Sequence, residues 1–250
     1  MKIDLTGKNI LVTGASRGIG KAIAETLAES GARVAVHYHT GEEEAKALAE
    51  KIGNNAKIFK ADLASAEECE KLFLEVTKDF GSIDVLVNNA GAMIMAGMEE
   101  DDWTKKWDLI MAINLRSVGI LSRRAVLHFK KQGGGRIINI ASRAAFRGDT
   151  PEFLAYAASK GGMVALSRSI ARGFGKDGVK SFIIAPGWVR TEATNESIKE
   201  YGEENIVGDI ALDRLTEPRD IAPLVAFLAS GLADHATGGT FDVNAGSYVH

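Results

Sequence analysis

The chain has one cysteine, Cys69, four prolines, and no run approaching the roughly eighteen apolar residues that a membrane helix requires. A lone cysteine excludes an internal disulfide, so a reducing, cytoplasmic setting is expected. The scarcity of proline, with no Pro/Ser-rich linker and no internal repeat, points to one continuous domain over residues 1–250. The first residues run directly into a strand pattern without a long apolar segment, so no signal peptide and no membrane association are expected. A basic excess is missing too: 30 Lys and Arg stand against 33 Asp and Glu, for a net charge of −3. That argues against a nucleic-acid partner. No Cys/His grouping calls for a metal.

What the chain does have is glycine, 27 residues of it. Glycine without proline is not a linker signature; it marks points of positive φ or close backbone approach. Short β-branched runs recur at 9–13, 33–37, 56–59, 83–88, 136–141, 179–185 and 240–243. They are nearly continuous in apolar residues, as strands covered on both faces are. Helical patterns fill the gaps at 18–30, 42–52, 66–80, 100–131, 154–175 and 218–229. Strand–helix alternation predicts an α/β fold, a Rossmann-like doubly wound parallel sheet of seven strands flanked by helices. Ligands of such sheets lie beyond the carboxyl ends of the strands, so the residues after each strand carry the function.

After the first strand comes Thr13-Gly14-Ala15-Ser16-Arg17-Gly18-Ile19-Gly20, opening a helix. Glycines there let backbone N–H groups approach an anion at a helix N-terminus. The spacing G-x-x-x-G-x-G differs from the ordinary dinucleotide fingerprint and lacks a P-loop's Gly-Lys-Ser/Thr. The second strand ends Val36-His37-Tyr38-His39-Thr40, with no acid before Glu42. An acid there holds the ribose of NAD and repels the extra phosphate of NADP. Its absence favours NADP(H), with Arg17 as a phosphate partner and His39 and Thr40 as further donors. His37 and His39 read equally well as exposed strand-end residues without a role. Tyr156 and Lys160, four apart, share a helix face. An ammonium beside a phenol is expected to lower its pKa from about 10 and make it a usable acid/base.

Taken in order, Thr13-Gly14-x-x-x-Gly18-x-Gly20, Asp62, Asn88-Asn89-Ala90-Gly91, Asn114, Ser142, Tyr156-x-x-x-Lys160, Pro186-Gly187 and Asp242-Val243-Asn244-Ala245-Gly246 resemble the short-chain dehydrogenase/reductase family, in its compact single-domain form. The resemblance covers the whole chain. It implies Tyr156 as general acid/base, Lys160 as the residue that tunes it and binds the nicotinamide ribose, and Ser142 as a hydrogen-bond partner of the substrate oxygen. Asn114 would hold a water that relays protons to Lys160. Cofactor contacts are implied for Gly14, Ser16, Arg17, Gly18, Ile19, Gly20, His39, Asp62, Leu63, Asn89, Ala90, Gly91, Tyr156, Lys160, Pro186, Gly187, Val189 and Thr191. A substrate lid is expected around 190–208, and a homotetramer built on the helices 100–131 and 154–175.

The implied activity is hydride transfer between NADP(H) and a small alcohol or carbonyl substrate. A 3-oxoacyl-acyl-carrier-protein reductase is the alternative, weakened because Asp177 stands where carrier-protein reductases tend to keep a basic residue. Lys176, Lys130 and Lys131 could substitute. Arg143 and Arg147 would suit a polar or anionic substrate, or face outward from a loop. A dinucleotide-binding sensor without catalysis is the competing class, disfavoured by intact Ser142, Tyr156, Lys160 and Asn114. Three departures from the family pattern stand out. Residues 98–106 are expected to lengthen a helix start. Phe182 replaces a frequent asparagine, a packing change. Ala245 replaces a glycine, which reads as a minor steric change.

Overall fold

The computed structural model describes residues 3–249 apart from 193 and 209. Met1 and Lys2 of the N-terminal reading, and Ala193 of the expected lid, lie outside these residues. The strands β1 (Asn9–Val12), β2 (Arg33–Tyr38), β3 (Lys57–Lys60), β4 (Val85–Asn88), β5 (Gly135–Ile140), β6 (Val179–Pro186) and β7 (Thr240–Val243) form one sheet, ordered β3-β2-β1-β4-β5-β6-β7. Every neighbouring pair is parallel. The order reverses between β1 and β4, and at that switch point two diverging βα turns open a crevice.

Successive strand residues point to opposite faces, and both faces are covered. Ile10, Val12, Val34, Val36, Val85, Val87 and Ile138 bury one face beneath α1 (Gly18–Glu29), α2 (Glu42–Ile52) and α10 (Pro218–Ala229). Leu11, Ala35, Leu86 and Ile137 bury the other beneath α3 (Ala66–Phe80), α5 (Ser117–Gln132) and α7 (Leu154–Phe174). This two-sided burial explains why the strands read as apolar runs without alternation. Phe182 is fully buried in the first layer, a packing role as expected.

The long helix predicted over 100–131 is not continuous. It starts at Trp103, as α4 (Trp103–Met111), widens into a π turn at Ala112–Arg116 and resumes as α5. Residues 98–102 form turns in place of an extended helix start. The Glu100 carboxylate accepts from the Gly97 N–H at 2.9 Å and pairs with Lys106. The π turn holds Asn114, whose amide is bound to a neighbouring chain segment and so favours an inserted residue. The region around 190–208 contains the short helices α8 (Asn195–Tyr201) and α9 (Glu203–Gly208); α6 (Ala144–Arg147) follows β5.

Ala245 corrects the reading of a minor steric change. It has φ +53°, the left-handed region, where its Cβ is strained. Its carbonyl accepts the Ala211 N–H at 2.7 Å, which holds it there.

Candidate active site

The loop after β1 is shaped by close approach. Gly14 has φ +62°, and a Cβ on it would lie 2.9 Å from Ala90 Cα. A Cβ on Gly20 would run into the Gly14 carbonyl and the Asn89 amide. Helix α1 begins with Arg17 extended before it and no side chain capping its first turn. Bare backbone N–H groups therefore face the crevice.

A cavity of about 340 Å³ lies there, lined by Gly14, Ser16, Arg17, Gly18, Ile19, Gly20, His39, Asp62, Leu63, Asn89, Ala90 and Gly91. Thr40 lines it as well. Glu42, the first acid after β2, is spent elsewhere: it pairs with Lys46 at 2.9 Å and hydrogen-bonds Tyr38. These residues fit a dinucleotide with an additional ribose phosphate: N–H groups for the pyrophosphate, and Arg17 near a β2 end whose first acid, Glu42, is paired with Lys46.

His37 departs from the expectation of an exposed strand end. It is 2 % exposed and sits between the glycine loop and the end of β3. Its Nδ1 accepts the Gly14 N–H at 2.9 Å, and its Nε2–H donates to the Ala61 carbonyl at 3.1 Å. Burial pushes its pKa down to about 4, so the ring is neutral at ordinary pH.

A second cavity, of about 360 Å³, adjoins the first; Ile19, Asn89, Gly91 and Thr191 line both. Its wall includes Ser142, Tyr156 and Lys160, with Pro186, Gly187 and Val189. Helix α7 places Tyr156 and Lys160 on one face, and Ser142 lies two residues beyond the end of β5. Lys160 donates to the Ile140 carbonyl at 2.9 Å, and its Nζ lies 5.7 Å from the centre of the Tyr156 ring.

Tyr156 corrects the expected lowering of its pKa. Burial raises it to about 12, opposed by a hydrogen bond from the Ser142 side chain and reinforced by the nearby charge of Asp149. The same burial lowers Lys160 to about 8. Desolvation penalises both charged forms, and the ammonium is directed at a main-chain carbonyl.

Asn114 stands behind this wall and lines neither cavity. Its Oδ1 accepts the Ala92 N–H at 2.7 Å, and its Nδ2 donates to the Ala92 carbonyl at 2.9 Å and to Ser159 Oγ at 3.1 Å. The side chain thus fastens the segment after β4 to α7.

Arg143 does not face outward from a loop: it is 6 % exposed and lines the second cavity. Arg147, Asp149, Phe153, Trp188 and Met93 line it too. Asp177 pairs with Lys130 at 3.1 Å, so one candidate basic residue is occupied. On the helices expected to build a tetramer, Leu109 and Leu127 are exposed, while Met163 and Ile170 pack inside the chain.

Sequence reasoning missed a buried polar chain under the site. Asn88 donates to Asn139 Oδ1 at 2.9 Å, Asn139 to Ser167 Oγ at 3.1 Å, and Ser167 and Ser181 hydroxyls lie 2.7 Å apart. Polar residues inside otherwise apolar strands were the available signal. Among the described residues there is no group of three His, Cys, Asp or Glu that could hold a metal, and no helix long and apolar enough to cross a membrane.

Residues 14–248 match the family described as enoyl-(acyl carrier protein) reductase. A 3-oxoacyl-[acyl-carrier-protein] reductase of Vibrio cholerae is 38% identical over 250 residues, covering 99% of this chain and 100% of its own. A dehydrogenase/reductase from Sinorhizobium meliloti superposes with a TM-score of 0.92 at 36% identity, covering 99% of this chain and 98% of its own. A short-chain dehydrogenase from Burkholderia cenocepacia, solved in complex with NADP, gives 0.90 at 31% identity, with 97% and 98% covered.

Proposed function

The chain belongs to the short-chain dehydrogenase/reductase family, and from that premise we propose that it is an NADP(H)-dependent reductase of a carbonyl substrate, a 3-oxoacyl thioester being the substrate class favoured by its full-length relative. The observation that carries the reading is the junction of the two cavities. The groove at the start of α1 and the Ser142/Tyr156/Lys160 wall share Ile19, Asn89, Gly91 and Thr191. A nicotinamide bound at that junction would supply the hydride that the protein's own side chains cannot.

The chain's residues handle the proton. Tyr156, held neutral by burial with a pKa of about 12, presents an O–H as the proton donor to the substrate oxygen. Ser142 hydrogen-bonds Tyr156 and shares the wall, so it orients that oxygen. Lys160, at about 8, is largely protonated at neutral pH and stabilises the phenolate left after transfer. Asn114 is a positioning residue that keeps the segment after β4 against α7. The segment around 190–208 closes over the substrate, starting from Thr191 in the shared wall.

A second reading, a polar or anionic carbonyl compound carrying no carrier protein, is favoured by two observations. Arg143 is buried in the cavity wall, and Lys130 is engaged by Asp177. The test is NADPH consumption with 3-oxoacyl thioesters, on the carrier and as small thioester analogues, beside keto acids. Preference for thioesters supports the first reading; turnover of keto acids alone supports the second. Tight NADPH binding without turnover of any carbonyl would support the non-catalytic sensor.

A further inference from the structure

The loop after β1 is held on both sides of two consecutive peptide units. Asn89 Nδ2 donates to the Thr13 and Gly14 carbonyls at 2.9 and 3.0 Å. On the other side, the Gly14 N–H donates to His37 Nδ1 at 2.9 Å, and the Ala15 N–H donates to the His37 carbonyl at 2.9 Å. His37 in turn donates through Nε2 to the Ala61 carbonyl at 3.1 Å, where β3 ends. Gly14 is left-handed, a conformation glycine adopts as freely as others, so external bonds must select it. One imidazole thus ties the ends of β1, β2 and β3 together at the rim of the groove, and it lines that groove itself. An apolar residue of the same size would fill the space and leave the Gly14 N–H unpaired.

We infer that His37 is a positioning residue of the dinucleotide groove: its Nδ1 fixes the Gly14 peptide so that the N–H groups beyond it converge on the cofactor. This rests on the dinucleotide reading above. The role is specific to the acceptor at Nδ1, and an aromatic or aliphatic side chain cannot supply it. Asparagine places its Oδ1 near the Nδ1 position, whereas glutamine reaches the Nε2 position and leaves Gly14 without an acceptor.

The test uses the full chain and the variants His37→Asn, His37→Gln and His37→Leu. Two quantities are read: hydrogen exchange at the Gly14 amide without cofactor, and the Kd for NADPH from fluorescence. His37→Leu and His37→Gln should speed Gly14 exchange and raise the Kd for NADPH, each by about tenfold, the worth of one hydrogen bond. His37→Asn should stay within about threefold of the wild type in both. At saturating NADPH, kcat should change little in any variant, which a general loss of packing would not produce. If His37→Leu fails to fold, His37→Gln against His37→Asn makes the same comparison. Equal exchange and equal affinity across all variants would overturn the inference. Faster Gly14 exchange with an unchanged Kd would overturn it too. A wild type that does not bind NADPH, with Gly14 exchange responding as described, would instead overturn the dinucleotide reading.

Discussion

Lys160 and Tyr156 share a face of α7, but the lysine ammonium is directed at the Ile140 carbonyl, 2.9 Å away, and not at the phenol oxygen. Burial dominates both groups and drives their pKa values apart, Lys160 down to about 8 and Tyr156 up to about 12. Protonated tyrosine is the form that donates, so the site is set for reduction at neutral pH. As pH rises through about 8, Lys160 loses its charge while Tyr156 keeps its proton. The value of kcat/KM for NADPH, which reports the free protein, should therefore bend downward above about pH 8. A profile flat to pH 10 would show that Lys160's charge is not used.

Ala245 is predicted to cost stability. Relieving a left-handed alanine gains about 1–2 kcal/mol, and the added freedom of glycine in the unfolded chain costs about 0.4–1 kcal/mol. Ala245→Gly should thus stabilise by up to about 1 kcal/mol, read from urea unfolding. A destabilised variant would show that the bond from Ala211 leaves no strain to relieve.

His37 should make the fold acid-sensitive. Its pKa falls from 6.5 to about 4 on folding because burial disfavours the charged ring, with His39 adding repulsion. The unfolded chain binds the extra proton between those values, so stability declines as pH drops from about 6.5 toward 4 and changes no further from this group below that. The full effect is on the order of 3 kcal/mol. His37→Asn should flatten that part of the stability curve; His128, also lowered by burial, remains to titrate in both proteins. An unchanged slope would mean that the ring is protonated in place.

Ser167 should be costly to remove although it lines neither cavity. Ser167→Ala leaves the Asn139 amide and the Ser181 hydroxyl short of a partner in a buried setting. A loss of about 1–3 kcal/mol is expected, against about 0.5 kcal/mol or less for the exposed Ser169→Ala. Equal losses would mean that the polar chain contributes nothing specific.

The sheet was legible because a strand covered on both faces must read as an apolar run, and Ile10-Leu11-Val12 does so without ambiguity. The glycine loop was legible because Gly14 and Gly20 are dictated by backbone approach, which no larger residue survives. His37 was not, since a polar residue at a strand end looks solvated until the end of β3 is known to cover it. The Tyr156 pKa was misread for a related reason: spacing gives a shared face but not the depth of burial, and burial decided the sign. The break at Asn114 depends on Ala92 and Ser159, partners that periodicity along one helix cannot reveal. Arg143 was left open between loop and cavity, and only packing against the site resolved it.

The central claim is that Tyr156 carries the proton while the groove holds the cofactor independently. Its most direct measurement compares wild type and Tyr156→Phe for NADPH binding and for NADPH-dependent reduction of a 3-oxoacyl thioester. The account predicts a Kd for NADPH within about threefold and turnover reduced by about 10²–10⁴-fold. Turnover by Tyr156→Phe near the wild-type rate would contradict it.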